Sequence, residues 1–270
     1  GPGAWRALYA IMRAASAPWF APIARMRRDM GLPAAASHPM LGLSHGVPTI
    51  ALFSRVLAEP QPDWPRPTTV TGFCVWDRDG AGGGMSDALR AFLDAGEPPV
   101  VFTLGSTGVF DAREFWDVAA RVSRTLGVRA VLLTGGDGPA ERPDLNDGTR
   151  VLAVPYAPHS ELFPRASATV HCGGVGTTGQ ALASGRPMLM MPFSHDQPDN
   201  ARRCARLGVA RVVRRDDWRE PVVTRELGAL LADSRAAGKA REVAAIVRAE
   251  RGAAAAADAL EVALAAAPRR

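Results

Sequence analysis

The sequence predicts an α/β fold: a Rossmann-like parallel sheet with helices on both faces, preceded by part of a second domain. From residue 96 onward, short apolar runs alternate with segments of helical period over short connections, the pattern of successive βαβ units. The runs are apolar without in-and-out alternation, as strands covered on both faces must be. Between this region and what precedes it lies Asp77-Arg78-Asp79-Gly80-Ala81-Gly82-Gly83-Gly84-Met85, too rich in glycine for an element interior and read as a flexible linker.

Taken in order, residues 5–30 carry apolar groups at helical spacing interrupted by Pro18 and Pro22, and they end at Gly31-Leu32-Pro33. Two helical pieces broken at the prolines are expected. The runs 48–53 and 68–73 read as strands. After the linker and a short helix, strands are expected at 100–104, 128–134, 151–154, 168–171, 188–191 and 210–213. Helices are expected at 112–126, near Ser160, from about Thr177 and from about Pro198. Three helical segments close the chain, the last an alanine-rich stretch whose composition supports helix and says nothing of function.

The formal charge of +5 is almost wholly arginine, since Lys239 is the only lysine. The arginines are scattered and no basic run is interleaved with aromatics, so no nucleic-acid partner is expected. Cys74, Cys172 and Cys204 are too few for a disulfide framework and form no CxxC pair. With no apolar run of membrane-spanning length and no signal-peptide order at the start, a cytoplasmic location is expected. The chain opens Gly1-Pro2-Gly3 without methionine, which suggests a fragment or a processed start.

In an open α/β sheet, ligands bind beyond the carboxyl ends of the strands. Four loops there are unusual. Gly105-Ser106-Thr107-Gly108 offers close backbone approach and two hydroxyls, or is an ordinary tight turn. Tyr156-Ala157-Pro158-His159 offers an aromatic face for a base and backbone groups for its edge, although packing alone explains such a tyrosine. His171-Cys172-Gly173-Gly174-Val175-Gly176-Thr177-Thr178-Gly179 comes off a strand and opens a helix. Helix-terminal N–H groups and the dipole favour an anion there, the glycines clear its path and the threonines add donors, so a diphosphate fits. His171 can donate to the same oxygens or be merely structural. Ser194-His195-Asp196-Gln197-Pro198-Asp199-Asn200 sets a carboxylate beside a carboxamide, a pair suited to adjacent sugar hydroxyls; the simpler reading is a helix N-cap by Asp196.

The stretch Gly174 to Gly179 also matches the dinucleotide fingerprint G-x-G-x-x-G. That fingerprint normally opens its domain and is followed by an acid at the end of the next strand. Here several βα units precede it and the next strand ends Met191-Pro192, which leaves an NAD(P)-dependent enzyme as a remote alternative.

Together and in this order, Tyr-Ala-Pro-His at 156–159, the glycine loop from His171, Gly185-Arg186-Pro187-Met188, and Asp196-Gln197 with Asn200-Ala201 resemble the C-terminal domain of family 1 glycosyltransferases of the GT-B fold. That group includes sterol glucosyltransferases and bacterial macrolide, glycopeptide and rhamnosyl transferases. Gln61-Pro62-Asp63-Trp64-Pro65 with Val70-Thr71-Gly72-Phe73 resembles the end of the family's N-terminal domain. The resemblance implies a division into 1–76, a remnant of the acceptor-side domain; 77–95, linker and short helix; and 96–270, the nucleotide-sugar donor domain.

The resemblance further implies base contacts at Tyr156 and Ala157, diphosphate contacts at His171, Gly174, Gly176, Thr177 and Thr178 with Ser106 facing from the opposite strand, and donor-sugar contacts at Asp196 and Gln197. Plant members bind the uridine ribose with a glutamate whose aligned place here is Gly179 or Gln180, so UDP-sugar and TDP-sugar both remain open as donor. The implied reaction is an inverting, metal-independent hexosyl transfer to a hydroxyl of a lipid, sterol or natural product, with no bound cofactor. The family's catalytic histidine lies in an N-terminal stretch this sequence does not contain, and neither His38 nor His45 matches its setting. The chain alone is therefore expected to be inactive, to expose apolar surface and to associate, with peripheral membrane contact through a lipid-like acceptor. A nucleotide-sugar 2-epimerase, or a non-catalytic donor-binding subunit needing a partner, are the alternatives.

Overall fold

In the computed structural model, residues 2–33, 48–62, 64–77, 84–105, 113–135 and 145–266 are described. Six strands form one sheet: β3 (Val100–Thr103), β4 (Ala130–Leu133), β5 (Val151–Val154), β6 (Ala168–His171), β7 (Met188–Met190) and β8 (Ala210–Val212). Their order is β5-β4-β3-β6-β7-β8, and every pairing is parallel. Two shorter strands, β1 (Thr49–Ala51) and β2 (Thr68–Val70), pair in parallel by themselves.

The apolar runs lack alternation because both faces are covered. Val100 and Phe102 of β3 turn to one side, into a core shared with α3 (Arg113–Leu126) and α7 (Glu220–Leu231). Val101 between them turns to the other side, where α2 (Asp87–Asp94), α5 (Val175–Ser184) and α8 (Ser234–Ala249) close over the sheet. All three residues are fully buried. The remaining helices are α4 (His159–Leu162), α6 (Gln197–Arg206) and α9 (Gly252–Ala265), the last formed by the alanine-rich stretch.

One expectation is corrected. Residues 5–30 do not break at the prolines: α1 runs unbroken from Pro2 to Asp29 with Pro18 and Pro22 inside it. Each proline removes one i→i−4 hydrogen bond, and the turns on either side keep theirs. The linker read at 77–85 is anchored at both ends. Met85 is buried in the core and Asp77 accepts a hydrogen bond from Gln180 Nε2 at 3.4 Å; residues 78–83 lie outside the described residues, as do His38 and His45. The helix expected from Thr177 begins two residues earlier, at Val175.

The segment before the linker packs against the six-stranded unit. Ser54 Oγ donates to Glu250 Oε1 at 2.6 Å, and the Phe73 ring lies where a side chain on Gly179 would be, 2.5 Å from a Cβ placed there. A Cβ on Gly252 would come within 2.3 Å of the Phe73 carbonyl oxygen. By contrast α1 keeps Leu8, Met12, Trp19, Ile23 and Met26 exposed, and at 3.6 residues per turn these five fall on one stripe. The exposed apolar surface expected from the sequence is thus present on α1.

Candidate functional site

The chain lays down β3, β4 and β5 outward in one direction, then returns to place β6, β7 and β8 outward in the other. The direction reverses between β3 and β6, and crevices for ligands open at such switch points beyond the strand ends. The residues there are Gly105 after β3 and Gly173 to Thr177 after β6. They face one another: a Cβ placed on Gly105 would lie 3.5 Å from Thr177 Oγ1.

The loop after β6 turns through Gly173, whose φ of +92° lies in the region glycine favours. A side chain there would also meet Met190 Cε at 3.0 Å and the Gln197 carbonyl oxygen at 3.3 Å. Gly174 caps α5 without a side-chain hydrogen bond, and Thr178 N–H is the first donor to close back on it, at 2.9 Å. The N–H groups of the preceding first turn have no partner one turn back, as at any helix start. A Cβ on Gly174 or Gly176 would meet nothing within 4 Å. Together these make an open, positively polarised helix end with the means to receive an anion.

His171 and Thr178 stand behind that end rather than on it. His171 is fully buried, and its Nδ1 accepts the Gly173 N–H at 3.1 Å, which puts the neutral ring's proton on Nε2. Burial, with His159 nearby, holds its pKa down to about 3, so it is a neutral donor. Nε2 and Thr178 Oγ1 are buried without a hydrogen-bond partner. Cys172 donates from Sγ to the Leu104 carbonyl at 3.1 Å, tying the end of β6 to the end of β3.

The loop after β7 is fastened to the glycine loop by Asn200. Its Nδ2 donates to the Gly173 carbonyl at 2.9 Å and to Asp196 Oδ2 at 2.8 Å. Asp196 therefore does not cap α6 through its side chain, and its carboxylate is held at the loop surface. Gln197 Oε1 accepts from the backbone N–H groups of Phe193 at 2.8 Å and Ser194 at 3.3 Å. Between them His195 has φ +57°, the one non-glycine left-handed residue among those described, and its Nδ1 lies 2.7 Å from Ser194 Oγ.

After β5, Tyr156 is exposed and Ala157 is buried. His159 opens α4, stacks on Phe163 with ring centroids 4.3 Å apart, and has its pKa pushed down to about 4 by burial, against an opposing pull from Asp77. Asp77 thus lies close to both the 156–159 loop and Gln180 on α5, whose Oε1 is buried without a partner.

The structure brings Gly174, Gly176 and Thr177 to one open helix end, with His171 and Thr178 in the layer beneath and Asp196 and Gln197 one strand away. Tyr156 and Ala157 follow the edge strand β5, and Ser106 lies outside the described residues. Sequence reasoning gave no role to Asp77 or to the Asn200 bridge; a carboxamide one helical turn after Asp196 is the signal that marks the latter. Among the described residues, no group of three His, Cys, Asp or Glu is arranged to hold a metal ion.

Residues 136–264 match the family described as erythromycin biosynthesis protein CIII-like, C-terminal domain. The chain is 37% identical over 239 residues to an O-mycaminosyltylonolide 6-deoxyallosyltransferase from Streptomyces fradiae, covering 86% of the chain and 54% of the relative. It thus spans about half the length of that curated relative. Among solved structures it resembles the glycotransferase of kitacinnamycin at a TM-score of 0.74 and 22% identity, over 97% of this chain and 66% of that one. It also resembles the spinosyn rhamnosyltransferase SpnG complexed with thymidine diphosphate, at a TM-score of 0.64 and 21% identity, over 83% of this chain and 59% of that one.

Proposed function

We infer the function of this chain from its kinship: it carries the C-terminal domain of a family 1 glycosyltransferase of the GT-B fold. We propose that it is the donor-binding part of an enzyme that moves a hexose from a UDP- or TDP-sugar to an acceptor hydroxyl on a lipid, sterol or natural product. The observation that carries this reading is the open N-terminus of α5 at the β3/β6 switch point, with clear space above Gly174 and Gly176 and Thr177 Oγ1 facing Gly105.

In this reading the diphosphate sits on the first-turn amides of α5, with the Thr177 hydroxyl beside it. Asp196, steadied by Asn200, accepts from hydroxyls of the sugar, and Tyr156 lies under the base. An acceptor oxygen, deprotonated by a base outside the residues assigned here, attacks the anomeric carbon from the face opposite the diphosphate. The bond from that carbon to the β-phosphate oxygen breaks, its electron pair stays on the diphosphate, and the configuration inverts. Fixed amide dipoles then stabilise the charge that grows on the leaving group, and one such donor can be worth about 10²–10³ in rate. This contribution needs no metal.

Calorimetric titration with UDP, TDP and GDP tests the site. The chain is expected to bind UDP or TDP, and Gly176→Leu to bind neither. Binding of none of the three by the unsubstituted chain removes the donor site and the function with it.

A further inference from the structure

Arginines that are scattered along the sequence, Arg186, Arg241 and Arg248, meet beside the far end of α5. Gly185 marks the place. A Cβ built on it would lie 3.7 Å from Arg248 Nη2 and 3.7 Å from the Cα of Arg241, both on α8, and Arg186 is the next residue in the chain. Burial, and then the charges of Arg241 and Arg248, pull the Arg186 guanidinium below its usual pKa.

Two of these side chains are fixed by backbone. Arg186 donates from Nε and Nη2 to the Pro164 carbonyl at 3.1 and 2.6 Å. Arg248 donates from Nε to the Ala183 carbonyl at 2.5 Å and from Nη2 to the Ser184 carbonyl at 2.9 Å. Those carbonyls end α5 and have no partner within the helix. Neither guanidinium can swing away to relieve the repulsion without giving up these bonds. Capping of α5 accounts for Arg248, and the fastening of the Pro164 turn accounts for Arg186. Neither role accounts for Arg241, which is exposed and has no hydrogen-bond or ion-pair partner among the described residues.

The charge is not balanced from within. Glu242 and Glu250, the carboxylates that flank these arginines on α8, are engaged elsewhere: Glu242 pairs with Lys239 at 2.9 Å, and Glu250 accepts from Ser54 at 2.6 Å. The end of α5 offers carbonyl dipoles equivalent to about half an elementary negative charge, against one full positive charge on each arginine. A guanidinium presents a planar fork of N–H donors that matches phosphate oxygens, and each of the three keeps donors not spent on carbonyls.

We propose that Arg186, Arg241 and Arg248 form a second anion site, which takes a doubly charged phosphate group. It stands apart from the donor site: α5 is 10 residues long, so its two ends lie about 15 Å apart. The inference does not rest on the donor-site reading. A soluble phosphate and the phosphomonoester headgroup of a lipid carry the same chemistry, and the test tells them apart.

Equilibrium dialysis against radiolabelled inorganic phosphate at fixed ionic strength tests the site, in Gly176→Leu so that the start of α5 is closed. Saturable binding is expected there. Adding Arg241→Gln should weaken it about tenfold, the scale of one charged hydrogen bond, without moving the melting temperature, since Arg241 fastens nothing in the fold. Arg248→Gln should weaken binding and lower the melting temperature as well. Sedimentation with phosphatidylcholine vesicles containing phosphatidic acid separates the sources. Capture that falls about tenfold in Arg241→Gln identifies a lipid headgroup, and phosphate binding without capture identifies a soluble anion. Absence of saturable phosphate binding in Gly176→Leu, or binding that Arg241→Gln and Arg248→Gln both leave intact, overturns the site.

Discussion

Asn200 donates to the Gly173 carbonyl at 2.9 Å, and its second amide hydrogen reaches Asp196 Oδ2 at 2.8 Å. One buried side chain thereby joins two loops, the turn that opens α5 and the carboxylate assigned to the sugar. Asn200→Ala leaves the Gly173 carbonyl unpaired and Asp196 untethered, and is expected to cost about 1–3 kcal/mol of stability. Asn200→Asp should cost more, because a second carboxylate would face Asp196 and a carbonyl with no proton to offer. Denaturant midpoints check the order, and UDP-sugar affinity should fall in both variants more than UDP affinity does.

Open space above Gly176 makes a sharper test of the anion site than removing any donor. Gly176→Leu adds a side chain where nothing lies within 4 Å, in a helix that gains from losing a glycine. Its melting temperature should stay level or rise, by up to ~1 kcal/mol of stability, while nucleoside diphosphate binding disappears. Retained binding in a folded Gly176→Leu would place the ligand elsewhere.

Gly179 makes the opposite prediction. A methyl group there would sit 2.5 Å from the Phe73 ring, and both positions are packed, so Gly179→Ala should destabilise by about 1–3 kcal/mol through overpacking. Phe73→Leu in the same chain should recover part of that loss. Urea unfolding of the two single variants and the double variant measures the coupling, and strict additivity would show that the contact is not made.

Two histidines set the acid side of stability. Burial holds His171 down to about 3 and His159 down to about 4, against a usual 6.5. The unfolded chain therefore takes up protons that the native chain refuses as the pH falls below 6.5. Each group costs about 1.4 kcal/mol per pH unit in that range, and the cost ends only when the pH passes the native values. Unfolding free energy at pH 5.5 should be roughly 2–3 kcal/mol below that at pH 7.5. His159→Gln, measured at both pH values, should lose about half of the difference.

The stripe on α1 predicts association. Leu8, Met12, Trp19, Ile23 and Met26 are exposed on one side of the helix, a contiguous apolar row of the kind that marks contact surfaces. Sedimentation should show self-association that grows with concentration, and Trp19→Glu with Met26→Glu should reduce it. A monomer at all concentrations would mean that the stripe is not a contact surface.

The sheet was legible because burial on both faces writes itself into the sequence. Val100, Val101 and Phe102 must all be apolar when successive residues enter opposite cores, and 151–154 and 168–171 were bounded to the residue for the same reason. The glycine loop was legible as the turn from β6 into α5, because glycines gather where the chain leaves a strand through a positive φ and opens a helix. Pro18 and Pro22 misled because a missing hydrogen bond was equated with a broken helix. The burial of His171, the partner of Asp77 and the fit of Phe73 on Gly179 could not be read. They join residues 12, 103 and 106 positions apart (His171 with His159, Asp77 with Gln180, Phe73 with Gly179), and only the folded topology brings such pairs together.

Phe73 presses its ring on Gly179 and its carbonyl on Gly252, two positions with no side chain to give way. Neither glycine has a side chain to move aside, and the Gly252 contact is backbone on backbone, so the fit holds only while these segments keep their places. Residues 72 and 73 are accordingly seated on the six-stranded unit. Any movement of the earlier segment relative to the six-stranded unit must therefore give way at points before Gly72.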